Sequence, residues 1–124
     1  MDINNALSDL KMEYFYFNYC SIEREKDIAD GQYHMNLNKN IEKIGDHVFK
    51  VVLVFSILKD DLKISVSAQA QFLFEAVDYS DEQEIIDNNT VAIMFPFIRS
   101  EVTLLTSQPG MSPIVLPPIN TAKL

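Results

Sequence analysis

Leu62-Lys63-Ile64-Ser65-Val66-Ser67-Ala68-Gln69-Ala70-Gln71-Phe72-Leu73-Phe74 decides the fold class. Apolar residues at 62, 64, 66, 68, 70, 72 and 74 alternate with polar ones at 63, 65, 67, 69 and 71. A period of two is that of a strand with one buried face. Upstream, Lys59-Asp60-Asp61 reads as a tight turn, and His47–Leu58 as a strand of nearly unbroken apolar character. Gly45-Asp46 is the turn before it. Tyr33, Met35 and Leu37 alternate with His34, Asn36 and Asn38, the mark of another half-buried strand. Ala29–Gln32 reads as a turn around Asp30-Gly31. Lys11–Ile22 is dense in Tyr and Phe, which favours a first strand. Residues 1–10 have weak periodicity and suit a short helical turn or a frayed end. Four strands joined by short turns predict an antiparallel meander.

Downstream the period changes. Asp81–Asn88 reads as a short acidic helix. Met94, Ile98, Val102 and Leu105 recur at helical spacing and form one apolar face. Pro96 fits the first turn of this main helix, where its missing donor does no harm. Pro109-Gly110 ends it. Met111–Asn120 is then extended, apolar and interrupted by Pro113, Pro117 and Pro118. It cannot be a central strand, because each proline lacks a backbone donor. It must lie over something. The expected class is α+β: a four-stranded antiparallel meander sheet, with one long helix and a proline-rich extended strip packed on one face.

The 124 residues predict a single domain, 1–124. Net charge is −8, which argues against nucleic acid as a partner. Residues 1–89 hold 17 of the 18 acids and 8 of the 10 bases, so the last third is a nearly uncharged segment on an acidic body. Buried packing, an interface or a binding surface would each account for it. The single Cys20 cannot form an intrachain disulfide and fits a reducing cytoplasm. No signal peptide is seen at the N-terminus, and Val48–Leu58 is too short to span a bilayer. No membrane insertion is expected.

Catalytic constellations are absent. There is no G-x-S-x-G, no Gly-rich phosphate loop and no H-E-x-x-H, so the sequence suggests neither an enzyme nor a cofactor. His34, His47 and Cys20 have no metal-ligand spacing, and no metal site is expected. Packing and surface roles account for them more simply. Asp60-Asp61 and Asp81-Glu82 are turn and helix-start residues.

The apolar residues outnumber what one helix can cover. An antiparallel sheet usually leaves its second face wet. Yet in Tyr14-Phe15-Tyr16-Phe17 both alternating sets are aromatic, and Val51–Leu58 is apolar at nearly every position. A bare patch of several hundred Å² represents on the order of 10 kcal/mol of unused burial. Self-association and the binding of extended polypeptide are the two outlets. Wrapping by the chain's own ends is the alternative.

Two segments resemble a known family. Phe95-Pro96-Phe97-Ile98-Arg99 and Leu116-Pro117-Pro118-Ile119-Asn120 are similar to the SecB protein-export chaperones. The likeness extends through Tyr16–Glu23, Asp46–Leu53 and Ala68–Phe74. It implies a cytoplasmic, ATP-independent holdase that keeps precursor proteins unfolded for export. It also implies a tetramer built as a dimer of dimers, with the motor SecA as a possible partner. Clients in that family lie in grooves between sheet, helix and proline-rich strip. The groove candidates here are Tyr16, Phe17, Phe55, Phe72, Phe74, Met94, Phe97, Met111, Ile114 and Leu116, each of which could instead be plain core. For SecA-type docking, Glu23 keeps one of the family's acids, whereas Ser67 and Tyr19 stand where others would be. The family continues past this point with a second helix and an acidic tail, whereas this chain stops at Leu124. A SecB-like chaperone dedicated to a toxin–antitoxin pair is the alternative, as is an oligomeric scaffold without client binding.

Overall fold

In the computed structural model residues 9–24, 34–59 and 61–120 are described. The elements follow in the order β1 (Leu10–Arg24), β2 (His34–Gly45), β3 (Val48–Lys59), β4 (Leu62–Phe74) and α1 (Glu82–Thr106). The expected features at residues 1–8, around Asp30-Gly31 and at Asp60 lie outside the described residues.

The class is α+β with one four-stranded antiparallel sheet and a single helix, as the periodicities predict. The strand order corrects the simple meander. β2, β3 and β4 follow one another as neighbours, but β1 pairs with β4 and not with β2, giving the order β1-β4-β3-β2. β4 is apolar along one whole face and can be flanked on both sides. β2, rich in Asn and Lys, is left at an edge, where polar side chains blunt unwanted pairing.

One face of β3 and β4 is closed to water. Val51, Leu53, Ile57, Ile64, Val66, Ala68, Ala70 and Phe72 are fully buried. The helix packs mainly over β4, flanked by β3 and β1. Ala68 and Ala70 are the small side chains of that face, and they leave room for the helix to approach. The opposite face carries Val52, Val54 and Leu58 half-buried beside Ser65, Gln69 and Gln71.

β1 resolves the doubly aromatic stretch in an unexpected way. Its register against β4 shifts between Met12 and Tyr14, and again between Phe17 and Tyr19. Each shift inserts one residue, Glu13 and then Asn18, as a bulge. Leu10, Met12, Phe15, Phe17, Cys20 and Ile22 therefore all pair with the buried positions of β4. Tyr14, Tyr16 and Tyr19 all point the other way and stay 37%, 47% and 51% exposed. The Tyr14 and Tyr16 rings stack at 5.6 Å. The surplus aromatic surface of β1 inferred from the sequence is thus tyrosine on the outer face, where hydroxyls keep it wet.

α1 corrects a second expectation. The acidic segment and the main helix are one helix, and Pro96 lies inside it. An interior proline costs about 3 kcal/mol through its missing donor and ring clash. Continuous packing offsets this. Ile86, Thr90, Val91, Met94, Phe95, Ile98, Val102 and Thr106 form an unbroken buried row on both sides of Pro96. Glu82 and Glu84 sit in the first turn, where the helix dipole favours acids. At the other end Ser107 Oγ donates to the Thr103 carbonyl at 2.7 Å and Gln108 Nε2 to the Leu105 carbonyl at 2.7 Å. Gly110 follows at φ 79°, a left-handed conformation that glycine adopts without strain.

Candidate functional site

The proline-rich strip is held by threonine hydroxyls. Thr106, fully buried, accepts the Ile114 backbone N–H at 2.8 Å and lies 2.8 Å from the Val102 carbonyl, to which it can donate. Thr103 Oγ1 donates to the Ile114 carbonyl at 2.7 Å. Ile114 and Leu116 are consequently buried, while Val115, Pro117 and Pro118 face outwards. The alternation of a strand is kept without a sheet partner.

Where the strip passes toward β2 it leaves a gap. A pocket of about 190 Å³ opens between β2 (Met35, Asn36, Leu37), β3 (Phe55), the helix (Phe95) and the strip (Leu116, Pro117, Ile119). A 150 Å³ apolar cavity is enough for a benzene ring, so one large apolar side chain fits. Phe55 and Phe95 meet edge to face at 5.7 Å at its floor. Met35 is 55% exposed at its rim. Farther along β2, Lys39 Nζ donates to the Asp87 carbonyl of α1 at 3.0 Å and spans the space between sheet and helix.

A second pocket of about 110 Å³ adjoins the first, sharing Phe95 and Ile119. Ala92, Pro96, Arg99 and Pro118 complete it. It has a polar element: the buried Nε of Arg99 has no hydrogen-bond partner.

The ten sequence candidates fall into groups. Phe55 and Leu116 line the first pocket. Phe72, Phe74 and Met94 lie in the closed core at 2% exposure or less, and Ile114 anchors the strip. Phe17 and Phe97 belong to a different cluster on the β1 side. There Phe15 lies 5.2 Å from Phe17 and 4.8 Å from Phe97 between ring centroids. Met111 is half-buried at the start of the strip, and Tyr16 is on the outer face. Met35, Leu37, Phe95, Pro117 and Ile119 were missing from the candidates. Met35 and Leu37 were visible as the apolar phase of the second strand, and Ile119 as part of the strip.

On the outer face Tyr19 pairs with Ser67, and Glu23 with Lys63. Ser67 accepts Asn18 Nδ2 at 3.2 Å, and Tyr19 Oη lies 2.9 Å from Ser65 Oγ. This part of the sheet is neutral.

Among the described residues the titratable groups of interest stand apart. His47 sits in the β2–β3 turn at φ 56°, with its ring stacked on Tyr79 at 3.7 Å and Nδ1 against the Glu82 carboxylate. It ties the turn to the start of α1. His34 stands at the far end of β2, and Cys20 on β1. Burial pushes the Cys20 thiol up, reinforced by the charge of Glu101 and by a hydrogen bond to it. Among the described residues no group of three His, Cys, Asp or Glu could hold a metal ion. No helix among them is long and apolar enough to cross a membrane.

Comparison with known proteins agrees with this architecture. The family described as "Preprotein translocase subunit SecB" matches residues 6–124. A protein-export protein SecB of Dechloromonas aromatica is 29% identical over 104 residues, 80% of this chain and 66% of that protein. An uncharacterised protein of Methanocaldococcus jannaschii is 33% identical over 61 residues, 49% of this chain and 38% of that protein. The chain thus spans less than two thirds of the length of these relatives. Among solved structures, a SecB-like chaperone of Mycobacterium tuberculosis, in complex with a ChAD peptide from the HigA1 antitoxin, has TM-score 0.70 at 12% identity. That match covers 90% of this chain and 88% of the other. A Streptococcus agalactiae protein of unknown function has TM-score 0.52 at 13% identity, over 87% and 96%. With the family matched over nearly its full length and the sheet, helix and strip in place, the chain belongs to the SecB family.

Proposed function

We propose that this protein is an ATP-independent chaperone that holds unfolded polypeptide. The observation that carries this reading is the open apolar pocket between β2, Phe55, Phe95 and the strip, in a chain of the SecB family. An unfolded chain exposes the large apolar side chains that a folded one hides, and such a pocket selects for them. Its walls suit varied clients: Met35 is flexible, and Leu37 and Ile119 supply general apolar contact. β2 is an edge strand of the described sheet and lies beside the pocket, so an extended client can add main-chain hydrogen bonds there.

Self-association into a tetramer, a dimer of dimers, belongs to the same reading. Several grooves on one assembly raise avidity without any single tight contact. The exposed aromatic residues are consistent with surface reserved for such contacts.

The test is light scattering during refolding of an aggregation-prone client. Suppression at a modest molar excess, lost in Met35→Glu, is expected. Unchanged aggregation at a large excess would refute the reading.

General export and service to one dedicated client, such as an antitoxin, remain as two versions. One observation favours the second. At the positions of the family's docking acids Tyr19 and Ser67 are neutral, leaving Glu23 as the acid. A surface of that kind is poorly matched to SecA. Pull-down with purified SecA separates the versions, and retention of SecA would favour export.

A further inference from the structure

The second pocket is built differently from the first, and the difference lies in Arg99. Residues 90–120 contain only two charged side chains, Arg99 and Glu101. Two positions apart on a helix, they point to nearly opposite sides. Glu101 is engaged with Cys20 on β1. Arg99 lines the pocket against the strip and has no hydrogen bond or ion pair from its side chain among the described residues. Its Nε is shielded from water yet unpaired. A buried donor of a charged group seldom goes unused. Beside it, Pro96 has no N–H to return to the Ala92 carbonyl, so the pocket wall also lacks one of its usual helical bonds.

We propose that Arg99 binds a carboxylate of the client chain, next to an apolar client side chain seated in the first pocket. Three features commit the site to this occupant. The Nε edge of a guanidinium, Nε with the adjacent Nη, matches the two oxygens of a carboxylate. No acid among the described residues pairs with it. The shared walls Phe95 and Ile119 place the two pockets side by side, within the span of one extended peptide segment. The carboxylate can come from an Asp or Glu side chain, or from a free α-carboxyl end. The inference rests on the holdase reading above and adds a polar selectivity to a groove otherwise read as apolar.

The experiment uses the whole chain and short unstructured peptides with one phenylalanine. One set carries Glu, Gln or Lys at one, two or three residues from it. Another has a free or an amidated C-terminus at those distances. Fluorescence anisotropy gives affinities, and the ¹⁵N-resolved Arg99 Nε–H signal reports contact directly. In at least one spacing the Glu peptide should bind about tenfold more tightly than its Gln twin, as for a charge-assisted hydrogen bond. The preference should weaken in salt, and the Nε–H signal should move only with the carboxylate. Arg99→Gln should abolish the preference, so that the Glu and Gln peptides bind alike. A preference confined to the free C-terminus assigns the site to chain ends. Equal binding of Glu and Gln peptides by the unaltered protein, with Nε–H unmoved, would overturn the carboxylate site and leave the chaperone reading standing. No binding of any peptide would overturn both.

Discussion

Thr106→Val tests how the strip, and with it the groove, is held. The change keeps the shape and removes one hydroxyl. In the native protein that hydroxyl accepts the Ile114 N–H at 2.8 Å, at a residue only 5% exposed. Without it the N–H is buried and unpaired, at a cost of about 1–3 kcal/mol. Burial of Ile114 and Leu116 stabilises the docked strip by about 1.5–3 kcal/mol each, as an upper estimate. The lost bond is therefore a large part of what holds the strip. The expected result is a loss of about 2 kcal/mol and a fall in Tm of roughly 8 °C for a chain of this size. The Ile114 amide should also exchange with solvent at least about tenfold faster, relative to amides in β3 and β4. Thr106→Ser keeps the oxygen and should retain the protection. Thermal melts and amide exchange by NMR give both readouts. A Thr106→Val protein with native Tm and an equally protected Ile114 amide would show that the threonine bond does not anchor the strip.

Four further outcomes follow from other parts of the molecule. Met35→Glu, at a 55% exposed rim position, should leave stability within about 0.5 kcal/mol and raise client aggregation in the light-scattering assay; intact suppression would remove Met35 from the groove. At His47, φ 56° strains any residue with a Cβ, so His47→Gly should be more stable than His47→Ala by about 1 kcal/mol in urea melts. Equal stability would mean the turn relaxes. Cys20 should react slowly with iodoacetamide at pH 8, because burial and Glu101 hold its pKa above the usual thiol range. Since the folded-state pKa is the higher one, this group favours unfolding as pH climbs through the alkaline range; Glu101→Gln should speed alkylation, and an unchanged rate would refute the pairing. Replacing Tyr14, Tyr16 and Tyr19 together with Ser should spare the affinity of each groove for a short client peptide, since these rings lie on the face away from the pockets; loss of that peptide binding in a folded variant would relocate the site.

Strands were legible where one face packs on the core, because burial writes a period of two into the sequence; β2 does so only through the half-buried Leu37 and Ile41. β4 is the clearest case, with six of its apolar positions from Ile64 to Phe74 buried. The joining of the two helical segments was not legible. Pro96 is a local signal for a helix start, and only the buried row from Ile86 to Thr106 reveals that packing overrides it. The place of β1 was hidden for a related reason: adjacency in sequence suggested β2 as its partner, and only shared burial against β4 decides otherwise. Of the candidate groove, Phe55 and Leu116 were read from the sequence, and Phe95 was not. It stands one position from Met94, and helical spacing alone cannot say that Met94 turns into the core while Phe95 forms the wall between two pockets.

The paired insertions at Glu13 and Asn18 in β1 act as frame adaptors. Deleting either residue would restore strict alternation at that point and leave its neighbours on the surfaces they now occupy, since Met12 and Tyr14, like Phe17 and Tyr19, already pair with consecutive residues of β4. A one-residue insertion or deletion elsewhere in the strand, with no bulge to absorb it, would instead turn one flank onto the wrong surface, tyrosines inward and phenylalanines outward. Kin of this chain should therefore show single-residue gaps at these two columns more readily than elsewhere in β1, and an alignment that forbids gaps here would misassign which aromatics are solvent-facing.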